Sequence, residues 1–498
     1  MKIFHRQRKS AGKKGSSSSK NDAILICKRN NLRYNDLGGQ TMQKTLLYNA
    51  GIVTMDLARR QFNKGAILIH DDRIIQVGRG AELLAGIEPD VEHLDLNGRW
   101  ILPGLINTHV HTSQQLGRGL GDDVDLLTWL HKRIWPYESN LTEADSYIST
   151  LLCGIEQIRS GVTCIAEAGG QYVNGVGRAV EELGIRAILA RSTMDMGEGL
   201  PEKWVESTDF ALETQTENLE KWHGKAAGRI KAWFGLRTIF NNSDELITRT
   251  KELADKYGVG IHMHIAEVKA ELEFAKATRG ATTVEHLKNL GVLDKNLLAV
   301  HTVWLSDEEI QMFAERDVKV SHNPASAMRV LGFEKIPEML DAGICVSLGT
   351  DGAPTNNRMT LIDEMWVTSL IHKGRLLDPT AIPAEAILAM VTCDGARALL
   401  WEDELGSIEA GKKADLVVIN PHTATMLPMH DPIANMVTAM RAENVESVMA
   451  DGRWLMKDRQ ILTVNETEIL EEAKERAGAI AKRAGIKLPD RFQVIDRG

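Results

Sequence analysis

Short apolar runs alternate with amphipathic stretches along the middle of the chain. Eight of the runs are almost continuously apolar, and stretches with helical periodicity separate them. Such runs are typical of parallel strands buried on both faces, and eight strand-helix units over about 250 residues fit a (β/α)8 TIM barrel. The eight predicted strands are Ile101–Asn107, Val162–Glu167, Ala187–Arg191, Ile230–Gly235, Gly260–His264, Leu297–His301, Val318–His322 and Ile344–Gly349.

Further strand-like runs with turn signals lie on both sides of this region, at residues 45–96 and 416–455. Strands at both ends of a barrel predict one small β-sandwich domain built from both chain ends, within an α/β protein. The predicted organisation is residues 42–100 as the first part of the β-sandwich, 101–404 as a metal-dependent barrel, 405–460 as the second part of the β-sandwich, and 461–498 as a helical tail.

Residues 1–41 differ from the rest of the chain because they are basic, rich in serine and without apolar periodicity. Such a segment cannot bury enough apolar surface to order itself, which predicts a disordered basic tail. A second hypothesis is a translation start that has been assigned too early. Codons for Leu37-Gly38-Gly39 can form a purine-rich ribosome-binding site just before Met42, where fold-like sequence begins.

Composition narrows the function classes. The 498 residues are 43% hydrophobic and 26% charged, as in globular proteins, and the net charge of −9 argues against nucleic-acid binding by bulk charge. The five cysteines are scattered and form no CxxC pair, which predicts neither disulfides nor a cysteine zinc site and fits the cytoplasm. No apolar run approaches the roughly 18 residues of a membrane span, so no membrane partner is expected.

Polar residues that can bind metals follow several of the predicted strands. His109 and His111 end the first strand, and strand alternation places both imidazoles on one face. His264 ends the fifth strand, His301 the sixth, and Asp351 follows the eighth. Because barrel active sites lie at the carboxyl ends of the strands, these side chains are expected to converge.

Three imidazoles and one carboxylate suit one divalent metal, with zinc favoured and iron or manganese as alternatives. The predicted ligands are His109, His111, His264 and Asp351. Such a cation lowers the pKa of a water molecule toward neutrality. Glu267 lies three residues after His264 and is the candidate general acid/base, and His301 can polarise the attacked centre.

These residues together resemble the aminohydrolase branch of the amidohydrolase superfamily. The typical motifs are ILPGLINTHVHT, SHNPAS, LGTDGAPTNN and GSIEAGKKADLVVI, and the resemblance extends from about Met42 to about Ile480. It implies a barrel with a split β-sandwich, zinc, and hydrolytic removal of an amino group from an aromatic ring. It also implies that Asp351 helps to protonate the departing ammonia and that the protein is a homo-oligomer.

Within this branch the chain is most similar to methylthioadenosine/S-adenosylhomocysteine deaminases. The resemblance implies that Glu138 contacts ribose hydroxyls and that Arg191 meets the amino-acid end of S-adenosylhomocysteine. Further substrate-binding candidates are Gln115 and Trp129, while His322 either lines the pocket or only satisfies backbone groups.

One departure from that family alters the expected pocket wall. The fourth strand, which usually ends in Pro-His-Ser-Pro, is followed here by Arg237, which could recognise an acidic or oxo-bearing ring. The alternatives are therefore a triazine, pterin or oxidised-purine amino- or chlorohydrolase, and more distantly a non-catalytic binding protein on the same barrel. In each case the expected partner is a small N-heterocycle or nucleoside.

Overall fold

The computed structural model describes residues 44–489, except residues 89, 125 and 205, and also residue 491. The predictions for residues 1–41 therefore lie outside the described residues. Within the described part of the chain, no helix is both long enough and apolar enough to cross a membrane.

The described part of the chain begins with strands that precede the barrel-like region. The first five strands are β1 Lys44–Val53, β2 Gln61–His70, β3 Arg73–Arg79, β4 Glu92–Asp95 and β5 Trp100–Pro103. The pairs β1–β2 and β2–β3 are antiparallel, whereas β4 and β5 both run parallel to β1.

The middle of the chain alternates parallel strands with helices, which is a TIM-barrel-type α/β fold. Every residue of the strands that carry the candidate histidines at positions 109, 111, 264 and 301 is buried, as expected for a parallel sheet covered on both faces. The strands are β6 Leu105–His111, β7 Val162–Glu167, β8 Arg186–Leu189, β9 Ser192–Thr193, β10 Ile230–Ala232, β11 Phe234–Leu236, β12 Ile261–Ile265, β13 Leu297–His301, β14 Lys319–His322, β15 Val346–Leu348 and β16 Asp351–Gly352.

Among the described residues these strands form two parallel sheets, in the orders β10-β8-β7-β6-β16 and β15-β14-β13-β12-β11-β9. The fourth predicted run is interrupted and contributes one strand to either sheet, whereas the third and eighth runs are each followed, just beyond their predicted ends, by a short strand (β9 and β16) that belongs to the other sheet. Hydrogen-bonded pairing is therefore not one continuous ring. Strand β16 pairs with β6, so Asp351 lies beside Val110, between the two histidines of β6.

The last four strands are β17 Leu416–Ile419, β18 Val445–Ala450, β19 Arg453–Lys457 and β20 Gln460–Ile461. In the described part of the chain they join the first five in one nine-stranded sheet, ordered β20-β19-β18-β17-β5-β1-β2-β3 with β4 beside β1. Both chain ends thus build the same sheet. The predicted run Val445–Leu455 is divided into a hairpin, because Asp451 and Gly452 adopt positive φ angles of 54° and 72°.

The first predicted barrel strand, Ile101–Asn107, is also divided. Its opening residues belong to β5 in the nine-stranded sheet, and its remainder belongs to β6. The division falls at Gly104, where a Cβ atom would lie 2.1 Å from Thr163 Oγ1. Gly104 therefore allows the close approach at which the chain passes from one sheet to the other.

Helices connect the strands and cover the sheets. Helix Glu143–Arg159 begins with a capping box at Thr142 and Asp145, and the final helix Glu466–Arg483 attaches to it through Arg476 and Arg483, which both contact Asp145. The α-helices are Gly80–Ala85, Leu126–Trp129, Trp135–Ser139, Glu143–Arg159, Val173–Leu183, Thr208–Trp222, Asp244–Tyr257, Lys269–Arg279, Thr283–Asn289, Asp307–Glu315, Pro324–Ser326, Ile336–Asp341, Ala353–Asn356, Leu361–Leu376, Ala384–Met390, Cys393–Ala398, Pro432–Thr438 and Glu466–Arg483.

A buried ion-pair network ties the barrel-like region to the nine-stranded sheet. Arg186, the first residue of β8, donates to Asp415 Oδ2 at 2.8 Å and to Oδ1 at 3.0 Å. The same guanidinium donates to Asp451 Oδ1 at 2.7 Å. All three side chains are almost completely buried, so each charge depends on its partners for compensation.

Candidate active site

The predicted metal ligands converge at the carboxyl ends of the strands. His109 Nε2 lies 3.3 Å and His111 Nε2 lies 3.6 Å from Asp351 Oδ1. The His264 ring lies with its centroid 5.0 Å from that of His109 and 5.5 Å from that of His111. His301 joins the cluster from β13, with its ring centroid 5.3 Å from that of His264.

These side chains offer two overlapping groups of possible metal ligands among the described residues. One group is His109, His111 and Asp351, and the other is His109, His264 and His301. Within each group the donor atoms lie within 4.8 Å of one another. The structure thus adds His301 to the geometric candidates, whereas the sequence predicts a catalytic role for it.

Burial keeps the imidazoles of His109, His111 and His264 neutral. It lowers the pKa of His109 to about 4 and holds the pKa values of His111 and His264 well below 6.5. Burial alone would raise the pKa of Asp351, but the neighbouring imidazoles of His109, His301 and His111 outweigh it and hold that pKa well below its ordinary value. Neutral imidazoles and an ionised carboxylate are the protonation states that bind a cation.

Hydrogen-bond partners orient two of these imidazoles. His264 Nδ1 lies 3.0 Å from the Arg237 carbonyl oxygen, which can only accept, so Nδ1 carries the proton and Nε2 keeps its lone pair. His109 Nδ1 lies 2.9 Å from His262 Nε2, while His109 Nε2 is buried without a hydrogen-bond partner among the described residues. Buried imidazole nitrogens with free lone pairs fit a divalent cation, and His262 supports His109 from behind.

Asp351 is held on both of its carboxylate oxygens. The Gly352 N–H donates to Oδ1 at 2.8 Å, and the hydroxyls of Ser326 and Thr355 donate to Oδ2 at 2.6 Å and 3.1 Å. Its φ angle of 60° lies in the left-handed region, which is uncommon outside glycine and typical of functional positions. Ser326 and Thr355 were not among the predicted site residues, although they lie in the motifs SHNPAS and LGTDGAPTNN.

Glu267 lies at the edge of the cluster and is partly exposed. Its Oε1 is 3.8 Å from His301 Nε2. Burial raises the pKa of Glu267 above its ordinary value, although nearby His301 and the Arg237 charge act in the opposite direction. A carboxyl group with a raised pKa can accept and release protons closer to neutral pH, as a general acid/base requires.

A pocket opens beside the cluster, and two of the predicted substrate-binding residues, Glu138 and Arg237, line it. The backbone of Arg237 adjoins the cluster, since its carbonyl oxygen lies 3.0 Å from His264 Nδ1, and the Arg237 charge lowers the pKa values of His111 and His264. The remaining lining residues are Ser113, Leu141, Gly169, Gly170, Gln171, Tyr172, Ser192, Met194 and Trp204.

The two arginines differ in their partners. Among the described residues, no carboxylate lies within ion-pair distance of Arg237. Arg191 does not line the pocket, and its guanidinium pairs with Glu206 and donates to Gln171 Oε1 at 3.1 Å. The positive charge left without a partner therefore belongs to Arg237.

The other predicted substrate residues lie outside this pocket. Gln115 donates to Glu156 Oε2 at 2.7 Å, whereas its neighbour Gln114 donates to Glu138 Oε1 at 2.7 Å. Trp129 is buried away from the pocket lining. His322 is fully buried, with Glu334 against Nδ1 and His372 Nε2 at 3.2 Å from its own Nε2. Substrate roles for these side chains stay predictions.

Comparison with known proteins agrees with this geometry. The sequence profile of the amidohydrolase family matches residues 100–455. A 5'-deoxyadenosine deaminase of Methanobrevibacter smithii is 38% identical over 415 residues, which are 83% of this chain and 93% of the relative. A 5-methylthioadenosine/S-adenosylhomocysteine deaminase of Syntrophomonas wolfei is 38% identical over 439 residues, 87% of this chain and 98% of the relative.

Solved structures show the same fold. An adenosine deaminase of Xanthomonas campestris with bound zinc superposes with a TM-score of 0.84 at 26% identity, covering 88% of this chain and 99% of the other. The zinc complex of the atrazine chlorohydrolase TrzN of Arthrobacter aurescens reaches 0.81 at 24% identity, covering 87% and 100%. The profile spans more than half of the chain, and two relatives exceed 30% identity over most of their length. The chain therefore belongs to the amidohydrolase family.

Proposed function

We propose that this protein is a metal-dependent hydrolytic deaminase of an amino-substituted N-heterocycle. The preferred substrates are nucleosides of the 5'-methylthioadenosine, S-adenosylhomocysteine and adenosine type, which would give the inosine analogue and ammonia. The observation that carries this proposal is the buried cluster of neutral imidazoles and ionised Asp351, with Glu267 beside it. The deaminase names of relatives that align over 83% and 87% of the chain support it.

The proposed ligands of the metal are His109, His111, His264 and Asp351. Zinc is favoured by the nitrogen-rich donor set and by the zinc in a structural neighbour, and iron and manganese are the alternatives. When bound, a divalent cation supplies Lewis acidity and lowers the pKa of water.

The protein side chains would move the protons. Glu267, with its raised pKa, would take a proton from water and pass it to a ring nitrogen. His301 Nε2 faces Glu267 and would polarise the carbon that bears the amine. Asp351 would help to protonate the departing ammonia.

Glu138 would recognise the ribose. Its carboxylate lines the pocket and already accepts from Gln114, which fixes one oxygen and leaves the other for hydroxyl donors. Arg191 would meet the amino-acid end of S-adenosylhomocysteine only if that group competed with Glu206, which pairs with Arg191 in the structure. Substrate contacts by Gln115, Trp129 and His322 are proposed on the resemblance alone, because these side chains lie outside the pocket lining.

One observation favours a second candidate function. Arg237 lines the pocket close to the cluster and, among the described residues, has no ion-pair partner. A guanidinium in this place matches an oxo or anionic group on the reacting ring itself. The second candidate is therefore an aminohydrolase, or a chlorohydrolase, that acts on a pterin, an oxidised purine or a hydroxylated triazine.

The proposal extends to the architecture and setting of the protein. We propose that the strands of the two parallel sheets follow the course of a (β/α)8 barrel, and that the nine-stranded sheet curves into a small β-sandwich. The protein is proposed to act as a cytoplasmic homo-oligomer on small molecules, without nucleic-acid or membrane partners.

The test is ammonia release by zinc-loaded protein with S-adenosylhomocysteine, methylthioadenosine, adenosine, guanine, a pterin and an aminotriazine. Turnover of the adenosine-type nucleosides supports the first candidate, and turnover of only the oxo-bearing rings supports the second. Glu267→Gln is the control, because it removes the proton carrier and keeps the predicted ligands. It should retain zinc and lose about 10²- to 10⁴-fold in turnover. Release of neither ammonia from this panel nor chloride from a chlorotriazine, after loading with zinc, iron or manganese, would contradict both candidates and favour a non-catalytic binding protein.

A further inference from the structure

Asn323 lies directly after β14, behind the imidazole of His301, and is fully buried. Its amide nitrogen Nδ2 lies 3.1 Å from the Ser321 carbonyl oxygen and 3.3 Å from His301 Nδ1. Among the described residues, Asn323 is the side chain whose amide contacts Nδ1 of His301.

The Ser321 carbonyl determines which way the amide points. A carbonyl oxygen can only accept a hydrogen bond, so the NH2 group of Asn323, and not its oxygen, must face it. The same NH2 group then faces His301 Nδ1, which must accept. In a neutral imidazole with an accepting Nδ1, the proton resides on Nε2.

His264 has the opposite arrangement. Its Nδ1 faces the Arg237 carbonyl oxygen at 3.0 Å and must donate, which leaves a lone pair on Nε2. His264 can therefore bind a cation through Nε2, whereas His301 presents an N–H in that position. The hydrogen-bond partner of Nδ1 thus determines whether a ring can act as a metal ligand, as in His264, or as a hydrogen-bond donor, as in His301. Both rings lie within the same cluster.

We propose that Asn323 is a positioning residue that holds His301 in the Nε2–H form, so that His301 acts as a hydrogen-bond donor and not as a metal ligand. That N–H faces the carboxylate of Glu267, 3.8 Å away, on the side where substrate would bind. The positive φ angle of His301, 70°, is a further constraint on the direction of this ring.

The surroundings of Asn323 hold its amide in place. Its backbone N–H faces the buried carboxylate of Glu334, which also contacts His322 Nδ1. On the other side, a Cβ atom at Gly349 would lie 2.4 Å from Asn323 Oδ1 and 2.7 Å from His109 Cβ. The absence of a side chain at Gly349 therefore makes room for the Asn323 amide beside β6, the strand that carries His109.

The decisive test changes the hydrogen-bonding character of residue 323 while its shape is kept. Asn323→Asp replaces the donor by an acceptor and should move the His301 proton to Nδ1. Asn323→Leu removes both donor and acceptor. The readout is the tautomer of His301 in full-length protein, measured by nuclear magnetic resonance with histidine labelled with the heavy nitrogen isotope. His301→Gln identifies the His301 signals.

A matched control is Asn242→Asp. Asn242 is equally buried and donates to the Thr193 carbonyl oxygen at 2.7 Å, but no described contact joins it to a histidine. It reports the general effect of a buried aspartate. His301 should remain in the Nε2–H form in this variant and in the unchanged protein, and should switch in Asn323→Asp.

Kinetics add a second readout, and this part alone rests on the proposed deaminase function. Loss of one oriented hydrogen bond should lower kcat about tenfold in Asn323→Leu while KM changes little and bound zinc stays the same. An Nδ1–H form of His301 in the unchanged protein, or the same tautomer in both Asn323 variants as in the unchanged protein, would overturn the proposal. The tautomer measurement needs no substrate, so its failure is distinguishable from failure of the proposed function.

Discussion

Replacing Arg237 by methionine tests which ring the pocket selects. The change keeps most of the side-chain volume and removes the guanidinium that lines the pocket. No described carboxylate pairs with Arg237. An acceptor on the substrate ring would therefore receive the full strength of a hydrogen bond from this guanidinium. A hydrogen bond to a charged group contributes about 1.5–3 kcal/mol. At about 1.4 kcal/mol for each factor of ten, this corresponds to a loss of roughly 10- to 150-fold in kcat/KM on an oxo-bearing ring.

The same substitution should also shift the pH dependence. The positive charge of Arg237 lowers the pKa of Glu267, so its removal raises that pKa further. Glu267 must be ionised to accept a proton, so the acidic limb of the kcat/KM profile should move to higher pH. This pH shift is expected with every substrate, whereas the loss in kcat/KM on the plateau is expected only with rings that carry an acceptor.

The assay compares kcat/KM for one oxo-bearing ring and one adenosine-type nucleoside across pH. Adenosine is the nucleoside of choice, because it lacks the amino-acid end that Arg191 is proposed to meet. Arg191→Met is then the matched control, since the Arg191 charge is paired with Glu206 and lies outside the pocket lining. An equal loss on both substrates, measured on the plateau of each profile, would refute ring recognition by Arg237. An acidic limb that does not move would refute its electrostatic effect on Glu267.

Three further substitutions test the site and its supports. Asp351→Asn should lower bound zinc per subunit, measured by elemental mass spectrometry, and unchanged zinc would remove Asp351 from the ligand set. Arg186→Met leaves the buried carboxylate of Asp415 without its main partner and should lower the free energy of unfolding in urea by about 3–5 kcal/mol; a loss below 1 kcal/mol (roughly the value of an exposed pair) would contradict the network. Burial raises the pKa of Glu364 to about 8 from 4.5. The folded protein therefore keeps this carboxyl protonated while the unfolded chain ionises it, and stability falls as the pH rises from about 5 to 8. Glu364→Gln cannot ionise, so its melting temperature relative to the unchanged protein should rise over that interval, and a constant difference would contradict the assignment.

The sequence predicted the strands that carry the site because their pattern is strong. The runs that end at His301 and His322 coincide with β13 and with nearly all of β14, and the alternation in β6 places His109 and His111 together. Breaks within elements were less predictable. The amphipathic pattern of residues 271–290 predicts one helix, but the structure has two, since Gly280 adopts a φ of 73° and ends the first.

The partners of the site residues depended on long-range geometry that one sequence does not show. Nothing in the local pattern indicated that Glu206 would pair with Arg191 or that Gln114 would contact Glu138. Asn323 lies in a motif that was recognised as a whole, but its contact with His301 depends on the pairing of β13 with β14. Residue types at strand ends were thus predictable, and their hydrogen-bond partners were not.

The contacts behind the histidines also bear on how the ion is acquired. His109 and His264 are held through their Nδ1 atoms by His262 and by the Arg237 carbonyl, so their rotamers are restricted before any cation arrives. The conformational entropy of these two side chains is therefore lost during folding, and cation binding does not carry that cost a second time. A chelator should therefore withdraw the ion and leave a folded protein that recovers it without a refolding step.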